Sequence, residues 1–257
     1  MRTACAAVSL VCIYPAIPAR AQNAVPASEA TIPGATVSAG AATVSTHCQI
    51  IYLGFVGALE LPANKHSGVV QIRRTLQGKD YSDVCANSFS PYVWTEGRDW
   101  LMKYFPAHAG PLTPQELQQA PKIILVGHSM GGWAVMSVAR ELRGRDIPVE
   151  LTVQVDSVGI TDYTIPRNVK SAAIFHANDI LMFMTTKHMH LEDPNYTKIL
   201  ADVKVDGVTH QSITRDPRIR DIVMEEVESL RTEALAAKSV PAVVHSTGKP
   251  ATGLDQK

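Results

Sequence analysis

The sequence predicts an α/β fold in which a mostly parallel central sheet is flanked by helices. Segments with strand and helix patterns alternate along the chain, as they do in successive βαβ units. The clearest strand, Lys122–Val126, is a continuous apolar run, KIILV, which is typical of a strand buried on both faces. The segment 47–235 has the length of one domain, and we find no internal repeat in it.

The first half of this segment shows four elements. Cys48–Phe55 is a short apolar run that ends among glycines, as expected of a buried strand. Val69–Leu76 predicts a short helix and Asp83–Ser88 a second strand. Trp94–Phe105 places its large apolar side chains at helical spacing and is closed by Pro106.

The second half continues the alternation. The strand Lys122–Val126 is followed by a predicted helix at Gly132–Leu142, whose Ala, Val and Met side chains suit a buried face. Val149–Val155 alternates like a strand. Three patterns complete the domain: short strands at Ala172–His176 and Asp202–Val205, and a long terminal helix at Arg218–Leu235.

The composition excludes several classes of protein. The 257 residues include 24 basic and 24 acidic side chains, so charge provides no basis for a nucleic-acid partner. The apolar fraction of 46% is too high for a disordered chain. No apolar run reaches the roughly 18 residues of a transmembrane segment. We therefore expect a soluble globular protein, and the composition does not predict its oligomeric state.

The N-terminus has the pattern of an export signal. Arg2 precedes an apolar run, and Ala19-Arg20-Ala21 fits the cleavage pattern, so residues 1–21 are predicted to be a signal peptide. The small and weakly polar residues of 22–46 predict a flexible linker. The similar composition of 236–257 predicts a disordered tail. The mature protein is then expected in the periplasm or outside the cell.

Two cysteines, Cys48 and Cys85, remain after removal of the signal peptide. In an exported protein an even pair favours a disulfide bond. The alternative is two buried free thiols, because neighbouring strands can hold the sulfur atoms apart.

The segment most informative about chemistry is Gly127-His128-Ser129-Met130-Gly131, a G-x-S-x-G motif between a predicted strand and a predicted helix. This motif places its serine on a tight, strained turn that lifts the hydroxyl clear of the sheet. The helix that follows favours negative charge at its N-terminus. Ser129 is therefore the candidate nucleophile, and the alternative is a glycine-rich turn with an unused serine.

On this motif, within the string GHSMGG, the sequence resembles the α/β-hydrolase superfamily over nearly all of residues 48–235. The string is typical of serine esterases, lipases and thioesterases in that superfamily. The resemblance implies a trimmed α/β-hydrolase fold with six or seven strands and no large cap, as in its small cap-less members.

The resemblance also implies a catalytic triad in the chain order serine, acid, histidine. His210 lies between a short strand pattern and the terminal helix, where the superfamily places its catalytic histidine. His188 and His190 are the alternatives. His128 precedes the nucleophile, and we expect it to have a supporting role.

Two aspartates at predicted strand ends are candidates for the acid. Asp156 ends the strand that follows the nucleophile's helix, and Asp179 ends the next one. The commonest superfamily position corresponds to Asp179, whereas several small members use the position of Asp156. We favour Asp156, because its strand is the better formed, and keep Asp179 as the alternative acid.

The resemblance further implies two backbone donors for the oxyanion: the N–H of Met130 and a second N–H from Phe55 or Val56. Three side chains are candidate wall residues of an acyl pocket or a short lid, with ordinary core packing as the alternative: Met182, Phe183 and Met184. No cofactor is expected. The residues His188, His190, Glu192 and Asp193 lack the second cluster that a metal site would need.

These expectations combine into one hypothesis: an exported serine hydrolase that cleaves a small carboxylic ester or thioester through an acyl-enzyme intermediate. The alternatives are an acyltransferase or amidase with the same triad, and a non-catalytic binding protein that retains the fold.

Overall fold

A sheet of six parallel strands lies at the centre of the structure, a computed structural model that describes residues 48–158, 164–178 and 189–239. All of these residues belong to the unit Ala41–Lys257. The sheet strands are β1 (Ile50–Phe55), β2 (Val84–Phe89), β3 (Lys122–His128), β4 (Val149–Val155), β6 (Val169–Ala177) and β8 (Lys198–Val205). A separate two-strand sheet consists of β5 (Thr164–Ile165) and β7 (His190–Leu191). The helices are α1 (Gly68–Gly78), α2 (Trp94–Met102), α3 (Pro114–Gln119), α4 (Met130–Arg143) and α5 (Pro217–Ser239).

The order of the strands explains where the site lies. Across the sheet the order is β2-β1-β3-β4-β6-β8, and every neighbouring pair is parallel. β2 lies on one side of β1, and β3, the next strand along the chain, lies on the other side. The loops after β1 and β3 therefore diverge at this switch point, and a crevice opens at the carboxyl ends of the strands.

The core has two layers because alternate strand residues point to opposite faces of the sheet. Ile50 and Tyr52 of β1 belong to the cluster that α1 and α5 cover, whereas Ile51 and Leu53 belong to the one that α2 and α4 cover. Burial on both faces accounts for the continuous apolar runs that predicted the strands. The parallel sheet with helices on both faces confirms the predicted α/β fold class.

The expectation of no large cap also agrees with the structure. The connections from β4 to β6 and from β6 to β8 span residues 156–168 and 178–197. Each is far shorter than the roughly 50 residues that an additional domain requires.

The structure differs from the predicted elements mainly at exposed positions. β8 begins at Lys198 rather than Asp202, because it is an edge strand with several exposed residues and lacks a continuous apolar run. α3 was not predicted, since none of its residues is buried; a capping box between Thr113 and Glu116 begins it. α5 ends at Ser239, so its helix extends past Leu235 into the predicted tail. The predicted signal peptide and linker lie outside the described residues.

Cys48 and Cys85 form a disulfide bond between the residue two positions before β1 and a residue of β2. Their Cα atoms are 5.5 Å apart, a usual separation for bonded cysteines. The bond fastens the edge strand of the sheet to its neighbour, and the predicted pairing is confirmed. Within the described ranges, no helix has the length and apolar character needed to cross a membrane.

We expect the double substitution Cys48→Ala, Cys85→Ala to lower the free energy of unfolding by about 4 kcal/mol. The cross-link closes a loop with a sequence separation of 37, and its removal restores conformational freedom mainly to the unfolded chain. Urea unfolding of the oxidised protein and of the double variant measures the difference. Equal unfolding midpoints and slopes would contradict this expectation.

Candidate active site

A cavity of about 510 Å³ lies at the carboxyl edge of the sheet, beside the switch point. It is lined by residues from loops after β1, β3, β4 and β8, among them Gly57, Glu60, Ser129, Val158 and His210. Loops far apart in sequence meet here because parallel strands bring their carboxyl ends to one edge.

Ser129 occupies a strained turn between β3 and α4. Its backbone has φ 55° and ψ −124°, a region that residues with side chains rarely adopt. Three backbone hydrogen bonds hold this conformation. The Ser129 N–H donates to the Val155 carbonyl at 3.0 Å, while the Ser129 carbonyl accepts from Gly132 at 2.9 Å and Val158 at 3.1 Å. Ser129 is 8% exposed and lines the cavity.

Glycines around the turn are required by close backbone approach. A Cβ atom on Gly127 would overlap the carbonyl of Gly131, and one on Gly132 would overlap the side chain of Ser157. The turn is therefore tighter than residues with side chains permit. Gly127 thus lets β3 and α4 approach each other closely around Ser129, and Gly132 lets α4 approach the loop after β4.

His210 and Asp156, distant in sequence, are in contact at the cavity. His210 Nδ1 lies 2.6 Å from Asp156 Oδ2, and Asp156 Oδ1 accepts a hydrogen bond from the Ala177 N–H at 3.1 Å. Asp156 is 1% exposed and has a positive φ of 43°. In neutral His210 the proton then lies on Nδ1, which makes Nε2 the acceptor nitrogen.

The other candidates for the acid and the base are placed elsewhere or are not described. His190 is exposed and belongs to β7. Asp179 and His188 lie outside the described residues, as do the three predicted wall residues, Met182, Phe183 and Met184.

Met130 is the first residue of α4 and lines the cavity. The first N–H groups of a helix have no acceptor within the helix, so the Met130 N–H suits an oxyanion. On the β1 side, Phe55 is completely buried, and the Val56 N–H donates to the Phe89 carbonyl at 3.1 Å. Neither is among the described residues that line the cavity, whereas the next two, Gly57 and Ala58, are.

The structure places His128 between His210 and Glu60, a residue that was not predicted to belong to the site. His128 is 2% exposed; its Nε2 lies 2.8 Å from the His210 carbonyl oxygen and its Nδ1 2.8 Å from Glu60 Oε1. The rings of His128 and His210 are 4.8 Å apart between centroids. The motif signalled His128, but no sequence pattern distinguishes Glu60 from other acidic loop residues.

Glu192, one of the residues with a metal-like pattern, is engaged by an arginine. Glu192 accepts hydrogen bonds from Arg143 at 2.7 and 2.8 Å. Within the part of the chain that the structure describes, no group of three or more His, Cys, Asp or Glu side chains is arranged to hold a metal ion.

No protein-family model and no curated protein sequence matches the chain. Among solved structures, it is similar to Est1E from Butyrivibrio proteoclasticus, with 14% identity and a TM-score of 0.41 over 71% of this chain and 90% of that one. XC6422 from Xanthomonas campestris, described as an a/b serine hydrolase without lid, has 11% identity and a TM-score of 0.42 over 72% and 84% of the two chains. The RedJ thioesterase from Streptomyces coelicolor has 12% identity and a TM-score of 0.39 over 70% and 86%. Similarities of this degree carry no conclusion about activity.

Proposed function

We propose that the protein is a serine hydrolase that cleaves carboxylic esters or thioesters through an acyl-enzyme intermediate. Ser129 is the nucleophile, His210 the general base and Asp156 the acid that orients His210. The observation that carries this proposal is the 2.6 Å contact between His210 Nδ1 and Asp156 Oδ2, at a cavity that Ser129 also lines. The strained backbone of Ser129 supports it, since this strain is typical of a nucleophile on a strand-to-helix turn.

The proposed reaction has two stages. Ser129 Oγ attacks the acyl carbonyl while His210 Nε2 takes its proton, and Asp156 stabilises the imidazolium that forms. The tetrahedral intermediate collapses, His210 returns the proton to the leaving alcohol or thiol, and the acyl group stays on Ser129. A water molecule then attacks the acyl-enzyme while His210 takes its proton. The second tetrahedral intermediate collapses, His210 returns that proton to Ser129 Oγ, and the carboxylic acid leaves.

The oxyanion of each tetrahedral intermediate needs preorganised donors. We assign one donor to the Met130 N–H, at the positive end of the α4 dipole. For the second donor we propose the backbone N–H of Gly57 or of Ala58 in place of the predicted Phe55 or Val56, because Gly57 and Ala58 line the cavity and the other two residues do not.

The character of the cavity favours an uncharged acyl group. Ala58, Leu59, Met130 and Val158 contribute apolar surface to its lining. The acidic side chain in the lining, Glu60, already has a partner within the protein, because its Oε1 is in contact with His128 Nδ1. A small ester or thioester with an apolar acyl chain fits this environment.

We also propose that the protein acts in the periplasm or outside the cell. The disulfide bond between Cys48 and Cys85 supports this location, because such bonds persist in oxidising compartments. The pattern of residues 1–21 supplies the export signal.

A fluorophosphonate probe tests the proposed nucleophile directly. We expect covalent labelling of the folded protein, with mass spectrometry of its peptides locating the adduct on Ser129, since only an activated serine reacts quickly with this probe. Heat-unfolded protein is the control and should remain unlabelled. Labelling of a different serine, or no labelling of a folded sample, would rule out Ser129 as the activated nucleophile.

A further inference from the structure

We propose that Glu60 and His128 form a charged pair that positions His210 through its backbone carbonyl. The inference rests on the proposed role of His210 as the catalytic base. Glu60 and His128 are positioning residues, because they act on the base and not on the substrate.

The contacts of His128 determine where its protons lie. The His210 carbonyl only accepts hydrogen bonds, so His128 Nε2, 2.8 Å from that oxygen, must carry a proton. His128 Nδ1 lies 2.8 Å from Glu60 Oε1, in ion-pair contact but without a well-aligned hydrogen bond. An unprotonated Nδ1 would direct its lone pair toward an ionised carboxylate, which is unfavourable. The geometry therefore indicates an imidazolium beside a carboxylate.

The environment of Glu60 is consistent with an ionised side chain. Partial burial raises the pKa of the Glu60 carboxyl, but its contacts with the side chains of His128 and Ser67 lower that pKa by more, so the net shift is downward. The groups that face the pair are Ser67, before α1, and His210, in the loop after β8.

The surroundings leave the pair little freedom. A Cβ atom on Gly57 would lie 2.9 Å from His128 Nδ1, so a glycine is needed where the loop after β1 passes the imidazole. A buried ion pair contributes little to stability compared with apolar packing. What this pair provides is a charge-assisted hydrogen bond to the backbone of the residue that carries the base.

The hydrogen bond from His128 restrains the backbone of His210, which the contact between Asp156 and the His210 ring does not. Asp156 holds one atom of the His210 ring, and the ring can still pivot about that contact if its backbone moves. With the His210 carbonyl held by His128 and the two rings 4.8 Å apart, the backbone and the ring are both restrained. Loss of the carbonyl contact would displace Nε2 relative to Ser129, and displacements of about 1 Å cost on the order of 10²-fold in rate.

Three variants test this inference: His128→Phe removes the donor and keeps a ring, His128→Gln keeps an uncharged donor, and Glu60→Gln removes the charge at constant size. We expect kcat on a p-nitrophenyl ester to fall on the order of 10²-fold in His128→Phe and about 10-fold in Glu60→Gln, with KM within about 2-fold. His128→Gln should recover part of the loss. The control is Glu116→Gln, which alters a Glu–His pair that does not line the cavity. Glu116 Oε1 lies 2.9 Å from His108 Nε2, and this substitution should leave kcat unchanged.

Each kcat is calculated per mole of protein that the fluorophosphonate probe labels at completion, so that misfolded protein is excluded from the concentration. If the pair is merely structural, Tm and the labelled fraction fall while kcat per labelled site stays at the wild-type value, and the inference is overturned. If His128→Phe does not fold, kcat per labelled site in Glu60→Gln tests the inference instead, and a wild-type value overturns it. If ester cleavage by the wild type does not depend on Ser129, the proposed function itself is overturned. If it depends on Ser129 but kcat per labelled site is unchanged in Glu60→Gln and in both His128 variants, only the positioning role is overturned.

Discussion

Replacing Ser129 with alanine is expected to lower kcat/KM for a short p-nitrophenyl ester by a factor on the order of 10⁴ or more. The substitution removes the attacking oxygen, and what remains is catalysis by the oxyanion donors and by substrate binding. Alanine keeps the Cβ atom, so the strained turn at φ 55° is no less favourable than with serine. The free energy of unfolding should therefore change little.

Ser137→Ala is the matched control for this variant. Ser137 lies in α4, the helix that follows Ser129, and its hydroxyl donates to the Trp133 carbonyl at 3.0 Å. We expect wild-type kcat/KM from this control. Full activity in Ser129→Ala would mean that ester cleavage does not use this residue as a nucleophile.

Asp156→Asn is expected to lower kcat by a factor on the order of 10⁴ without unfolding the protein. The reason lies in the two contacts of the carboxylate. The Ala177 N–H needs an acceptor, so the oxygen of the new amide turns toward Ala177 and its NH₂ group faces His210 Nδ1. His210 must then carry its proton on Nε2, and it can no longer accept the proton of Ser129.

A second aspartate–histidine pair supplies the control for Asp156→Asn. Asp202 Oδ1 lies 3.1 Å from His176 Nε2, and Asp202 is half-exposed on the edge strand β8. Asp202→Asn is expected to retain wild-type kcat and a wild-type Tm. If Asp156→Asn also keeps its rate, the acid must be sought elsewhere, and Asp179→Asn becomes the variant to measure.

The fold class was predictable because its signals are local. A strand buried on both faces must be apolar throughout, as in KIILV. A tight strand-to-helix turn that presents a serine to a cavity must have small neighbours, as in GHSMGG. Each of these signals occupies a few consecutive residues, so the chain displays them without its tertiary structure. The exposed elements α3 and β8 were missed or shortened for the complementary reason, since nothing apolar marks them.

The sequence by itself determined the α/β class, the position of the candidate nucleophile and the pair of cysteines available for a disulfide bond. The tertiary structure alone brought Asp156 to His210, placed Gly57 and Ala58 rather than Phe55 in the cavity lining, and revealed Glu60 beside His128. These relations join loops that follow different strands. Their geometry depends on which carboxyl ends of the sheet become neighbours, and strand order is a property of the folded sheet that no local stretch of sequence contains.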